Sequence, residues 1–93
     1  MRLIKKQAIV IANENGEILC SGIKRDPYLN YWELPKDGEV PDGAFLFSDV
    51  DAAASEIAKG REVQTGNPQQ EQFPDMKTAK VSTDYWYEQS VFN

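Results

Sequence analysis

Histidine is absent from these 93 residues, and cysteine occurs once, at Cys20. A lone cysteine forms no internal disulfide, so packing alone must hold the fold. Zinc sites built from Cys and His are excluded, as are Ser-His and Cys-His nucleophile pairs. Carboxylate chemistry, usually with a divalent cation, is the enzymology that composition leaves open. Long apolar runs are missing too. The longest near the start is Ala8–Ala12, AIVIA, far short of the ~18 residues of a membrane span. No signal peptide is expected, because no apolar stretch of adequate length or small-residue cleavage site follows the early basic residues. The expectation is one cytoplasmic domain over 1–93, with no membrane partner.

Bases are scarce where acids are dense. Between Asp26 and Ala58 stand eight acidic residues (Asp26, Glu33, Asp37, Glu39, Asp42, Asp49, Asp51, Glu56) against Lys36 alone, within a net charge of −5. Arg2, Lys5, Lys6, Lys24 and Arg25 precede them. The basic footprint of a nucleic-acid binder is missing, and direct nucleic-acid binding is not expected. An acidic face suits a basic partner, or serves solubility alone.

Leu3–Ala12 reads as one strand covered on both faces. Asn13-Glu14-Asn15-Gly16 supplies turn chemistry, and Glu17–Ile23 resumes as the second strand of a hairpin. Tyr28–Leu34 is aromatic enough for a strand, with Tyr28, Trp32 and Leu34 on one face. Pro35, Gly38, Pro41 and Gly43 punctuate a loop, and Ala44–Phe47 reads as a short strand. Ser48 is placed to cap a helix, with Asp49 and Asp51 at the positive end of its dipole. Val50, Ala53, Ala54 and Ile57 give that helix an apolar stripe, and Gly60 reads as its end. Thr65–Met76 shows no period and reads as a long loop. Thr78–Phe92 alternates as one long strand. The fold class expected is α+β: a small antiparallel β-sheet of four to five strands with one α-helix packed on one face.

Gln7–Leu19, QAIVIANENGEIL, followed by Tyr31–Pro35, YWELP, resembles the first half of a Nudix hydrolase domain. Asp51–Gly66, DAAASEIAKGREVQTG, is similar to the helix that follows in that family. The resemblance implies Mg²⁺ held by several glutamates of one helix against a diphosphate. With Ser55-Glu56-Ile57 at the family's Arg-Glu-hydrophobic position, Lys59 and Gly60 fall where its glutamate pair stands. With Arg61-Glu62-Val63 there instead, Thr65 and Gly66 do. Each register leaves at most one helical metal ligand. Asp37–Gly43 has oxygens for Ca²⁺ but not the spacing of an EF-hand, and reads as a solvated turn. No catalytic residue, metal or cofactor is therefore assigned.

The aromatics remain. Tyr85-Trp86-Tyr87 must place rings on both faces of its strand, and one side stands in water unless something covers it. A core shared with the helix and the Gln-rich loop is the plain alternative. Stacking of single-stranded nucleic acid is disfavoured by Glu33, Asp84 and Glu88 among the rings. The reading is a non-enzymatic binding module. Its partner-binding surface comprises Tyr31, Trp32, Glu33, Asp37, Glu39, Asp42, Asp49, Asp51, Tyr85, Trp86 and Tyr87. Small, acidic, cysteine-poor domains of this kind resemble phage or mobile-element inhibitors of host nucleic-acid enzymes, anti-CRISPR proteins among them. The resemblance implies a protein partner with a basic nucleic-acid-binding surface. Two alternatives stand beside it: a degenerate Nudix-like phosphohydrolase, and a homo-oligomer, such as a homodimer, formed through the strand holding Tyr85–Tyr87.

Overall fold

The computed structural model describes residues 2–23, 29–66 and 74–91. Tyr28, Phe73, Phe92 and the Gln-rich part of the expected loop lie outside them, as do Lys24, Arg25 and Asp26. The class is α+β, with six strands and one helix among the described residues. The strands are β1 (Arg2–Gln7), β2 (Val10–Ala12), β3 (Ile18–Cys20), β4 (Tyr31–Glu33), β5 (Lys80–Ser82) and β6 (Trp86–Val91). The helix, α1, spans Val50–Gly66. Pairing of these strands is antiparallel, in two sheets: a four-stranded β4-β3-β2-β5 sheet and a two-stranded β1-β6 ribbon.

The two long strands expected at either end of the sequence each break in two. On the first, Ala8 and Ile9 separate the pair Gln7↔Trp86 from the pair Val10↔Ser82; on the second, Thr83, Asp84 and Tyr85 do. Three residues opposite two is the signature of a β-bulge. It bends the chain and turns one continuous ribbon into two sheets. Alternating polarity carries no mark of that extra residue, which is why each strand reads as unbroken.

β2 sits at the centre of the larger sheet and is buried on both faces, as AIVIA implies. Its odd-numbered side, with Ile11 and Leu19, packs beneath the helix against Ala53, Ile57, Met76 and Ala79. Ala8, Val10, Ala12 and Ile18 face the other way, onto Val40, Tyr85 and Tyr87.

The Asn13–Glu17 hairpin forms as read, with Gly16 at φ 75° and Ala12 opposite Ile18. Asn13 organises it. Its Oδ1 accepts from the Asn15 and Glu17 amides, both at 3.0 Å, and its Nδ2 donates to Glu17 Oε1 at 2.9 Å. Asn13 is buried, so Asn13→Ala would leave two amides without an acceptor. A loss of about 1–3 kcal/mol is expected in urea denaturation, with the m-value unchanged.

The helix differs from expectation at both ends. Asp49, not Ser48, caps it: its Oδ1 accepts from the Ala52 amide at 2.7 Å. Gly60 is an interior, buried helix residue rather than the terminus, and helix continues to Gly66. A mid-helix glycine costs about 1 kcal/mol in propensity. Ala53, Ile57 and Gly60 form the buried stripe, whereas Val50 and Ala54 face outward. Met76, read as loop, is fully buried under the helix. Arg61 fixes this segment by donating to the carbonyls of Met76 (3.1 Å) and Ala79 (2.8 Å).

Ala44–Phe47 makes no strand ladder of its own. It lies between β3 and β2 where they splay beyond Ile18: the Phe45 amide donates to Leu19 O and the Phe47 amide to Ile9 O. Its rings join the helix-side core.

Candidate functional site

The chain between β4 and α1 carries the acidic residues, and its course is set by three anchors. The first is a tight turn at Lys36–Glu39, whose two ends exchange backbone hydrogen bonds (Glu39 N to Lys36 O, 2.8 Å; Lys36 N to Glu39 O, 3.3 Å). Its central residues, Asp37 and Gly38, have φ of 54° and 80°. Two successive positive φ values define the twist of a type I′ turn, for which Asp-Gly is a favoured pair. Asp37-Gly38 is thus a hairpin signal, more specific than the loop that Pro35, Gly38, Pro41 and Gly43 mark.

The second anchor is Trp86. Its amide donates to Gly38 O at 3.0 Å and its carbonyl accepts from Val40 N at 2.9 Å, so the turn lies along the outer edge of β6. The indole supports the turn from below. A Cβ on Gly38 would stand 3.3 Å from Trp86 Nε1. The Lys5 ammonium lies 4.2 Å from the ring centroid, a cation–π contact across the ribbon. The third anchor is the insertion of Phe45 and Phe47 into the sheet, after which Asp49 caps the helix.

This path leaves the carboxylates in water. Glu33, Asp37, Glu39, Asp42, Asp49 and Asp51 are all exposed. None takes part in an ion pair among the described residues, where Lys59–Glu56 is the salt bridge seen, at 3.9 Å. Glu39, Val40, Pro41 and Asp42 form a ridge between two shallow clefts. One, of about 290 Å³, is closed by Glu33, Leu34 and Lys36. The other, of about 210 Å³, is closed by Ala44, Leu46, Tyr87 and Glu88. Leu34 and Leu46 are exposed apolar side chains at these rims.

The aromatic members of the expected surface are placed differently. Trp32 packs on the helix-side core and donates its indole N–H to Asp75 O at 3.2 Å. Tyr31 is half-buried opposite Cys20, its hydroxyl 2.8 Å from where a Cβ on Gly43 would lie. Tyr85 and Tyr87 pack on the second core cluster, while Trp86 takes the opposite face of the ribbon. The triplet thus divides between two faces, as alternation requires: Trp86 lies beneath the acidic turn, and Tyr85 and Tyr87 join the second core cluster. The structure brings Glu33, Glu39 and Asp42 together around the ridge, with Glu88 joining them across the second cleft. Asp49 and Asp51 stand apart from both clefts, at the helix start. Among the described residues, no three Cys, Asp or Glu side chains group so as to hold a metal ion. No helix among them is long and apolar enough to cross a membrane.

Fold and surface together define a small α+β domain that displays an acidic, hairpin-borne loop. Comparison with protein-family models, curated proteins and solved structures returns no match.

Proposed function

We propose that this chain is a protein-binding module whose acidic loop enters a basic, nucleic-acid-binding site on another protein. In this reading it is an inhibitor of the kind made by phages and mobile elements, blocking a host nucleic-acid enzyme as anti-CRISPR proteins do. The observation that carries the reading is the set of exposed carboxylates of Glu33, Asp37, Glu39 and Asp42, unpaired with any base among the described residues and carried on and beside an anchored turn. Glu33 and Glu39 serve the fold through their backbones, and among the described residues none of the Glu33, Asp37, Glu39 or Asp42 side chains makes an ion pair. Carboxylates held in such a turn can meet arginine or lysine with little further loss of freedom. Charge-assisted hydrogen bonds to arginine are among the stronger polar contacts, and complementary charge speeds encounter. Leu34 and Leu46 add apolar contact at the rim.

The test is capture of a partner from nuclease-treated lysate by the tagged protein, followed by competition. A stoichiometric partner that itself binds DNA or RNA, and that an oligonucleotide displaces, is the expected result. A partner that holds its nucleic acid and this protein simultaneously would overturn the reading.

A further inference from the structure

The β1–β6 ribbon is an unfinished sheet. Among the described residues, neither strand pairs with a third strand or contacts the helix, while Tyr87 packs one face of β6 on the second core cluster. β1 is exposed along almost its whole length, with Leu3 57% accessible, and β6 is exposed from Glu88 to Ser90. An isolated pair of strands is marginally stable in water, and its open edges invite another strand.

The hydrogen-bond pattern says which edge and how much of it is open. Ala8 N donates to Tyr85 O across the ribbon, whereas Trp86 directs both backbone groups outward, to Gly38 and Val40. Alternation along an antiparallel ladder then turns Tyr87, Gln89 and Val91 toward β1, and Glu88 and Ser90 outward. The acidic turn occupies the edge at Trp86 and leaves Glu88 and Ser90 open.

We propose that β6 pairs antiparallel with β6 of a second copy of this chain, centred on Gln89, giving a continuous β1-β6-β6-β1 sheet. Charge and geometry select this pairing. β1 against its own copy would bring Arg2, Lys5 and Lys6 of both chains together, and like charges across strands are destabilising. On β6, a two-fold register must set outward residues opposite outward residues. Centring on Glu88 opposes two glutamates and sets the partner's Ser90, inside its β6, opposite Trp86, where the turn already lies; centring on Ser90 leaves that residue as the one outward position of β6 with an outward partner inside β6. Centring on Gln89 sets Glu88 opposite the partner's Ser90, Tyr87 opposite the partner's Val91, and Gln89 opposite its own copy. No like charges meet directly. An aromatic ring faces a β-branched residue at each end, and the acidic turn stops the partner strand from sliding further. β6 shares Tyr87 and Glu88 with the second cleft, so the paired copy borders that side of the carboxylate ridge and leaves the cleft at Glu33, Leu34 and Lys36 open.

Light scattering of the full chain over a concentration series tests it, with a doubling of the 10.5 kDa chain mass expected at the upper end. Ser90→Pro removes an outward N–H that β1 does not use, and should return the mass to that of one chain while the melting transition persists. In the predicted register, residue 89 of the two chains forms a non-hydrogen-bonded pair, with Cα atoms about 4.5 Å apart. Gln89→Cys should therefore oxidise to a disulfide-linked dimer, several-fold faster than Ser90→Cys, whose opposite number is Glu88. Cys20 is buried and gives no background. A single-chain mass at every concentration would overturn the proposal. So would equal crosslinking at 89 and 90, or a dimer indifferent to Ser90→Pro.

Discussion

Met76→Ala is expected to cost about 3 kcal/mol, more than any single change on the acidic loop. The side chain is fully buried among Ile11, Leu19, Ala53, Ile57 and Ala79, between helix and sheet. Removing it forfeits the transfer free energy of its apolar atoms and leaves a cavity the core only partly closes, which for Met→Ala amounts to about 2–5 kcal/mol. A domain of this size loses about 4–8 °C of melting temperature for each kcal/mol. Calorimetry should show a drop of well over ten degrees by that estimate, with Met76→Leu, of similar volume, losing far less. If Met76→Ala melted within a few degrees of the parent protein, the segment after the helix would not be the wedge that closes this core.

Trp86→Ala is the second large effect, about 2–3 kcal/mol, and it acts on the site. The ring is half-buried, so the cost falls below the full ~3–5 kcal/mol of a buried tryptophan. Two contacts disappear together: the support beneath Gly38 and the cation–π contact with Lys5. The backbone bonds from Gly38 and Val40 to residue 86 would then lose the packing that shields them. Hydrogen exchange reports this directly. The Val40 amide should exchange far faster in the variant, whereas the Ile11 amide, in the central strand, should change only by the global loss of stability. Equal acceleration at both positions would mean that Trp86 stabilises the whole fold and does not specifically seat the turn.

How much of this was legible in the sequence follows from what each signal encodes. The Asn13–Gly16 turn was readable because its chemistry is local. So was the buried centre of the sheet, since AIVIA admits water on neither face. The break of both long strands was not, because a bulge adds one residue without disturbing polarity over the few residues on either side. Helix limits misled for the same reason of scale. Ser48 and Asp49 both suit a cap, and only the geometry of the chain leaving Phe47 chooses Asp49. Gly60 looked terminal by propensity, yet its buried position continues the stripe begun by Ala53 and Ile57. Met76 and Arg61 find each other across fifteen residues of sequence, a pairing no window along the chain contains. Among the site residues, the carboxylates were legible as exposed because charge resists burial, and all six of the loop and helix start are exposed. The aromatic residues were legible as a group but not one by one. Which ring faces the core depends on the bulge.

In the function proposed above, exposed carboxylates of a pre-formed turn make the contact with a basic partner. The most direct measurement is titration of the captured partner with the parent protein and with the triple variant Asp37→Asn, Glu39→Lys, Asp42→Lys, at two ionic strengths, asparagine being a residue that accepts the positive φ of position 37. All three side chains are exposed and make no ion pair among the described residues, so the variant should fold. An affinity loss of a hundredfold or more, about 3 kcal/mol, is expected, together with a marked weakening of parent binding at high salt. Unchanged affinity in the folded variant would contradict it.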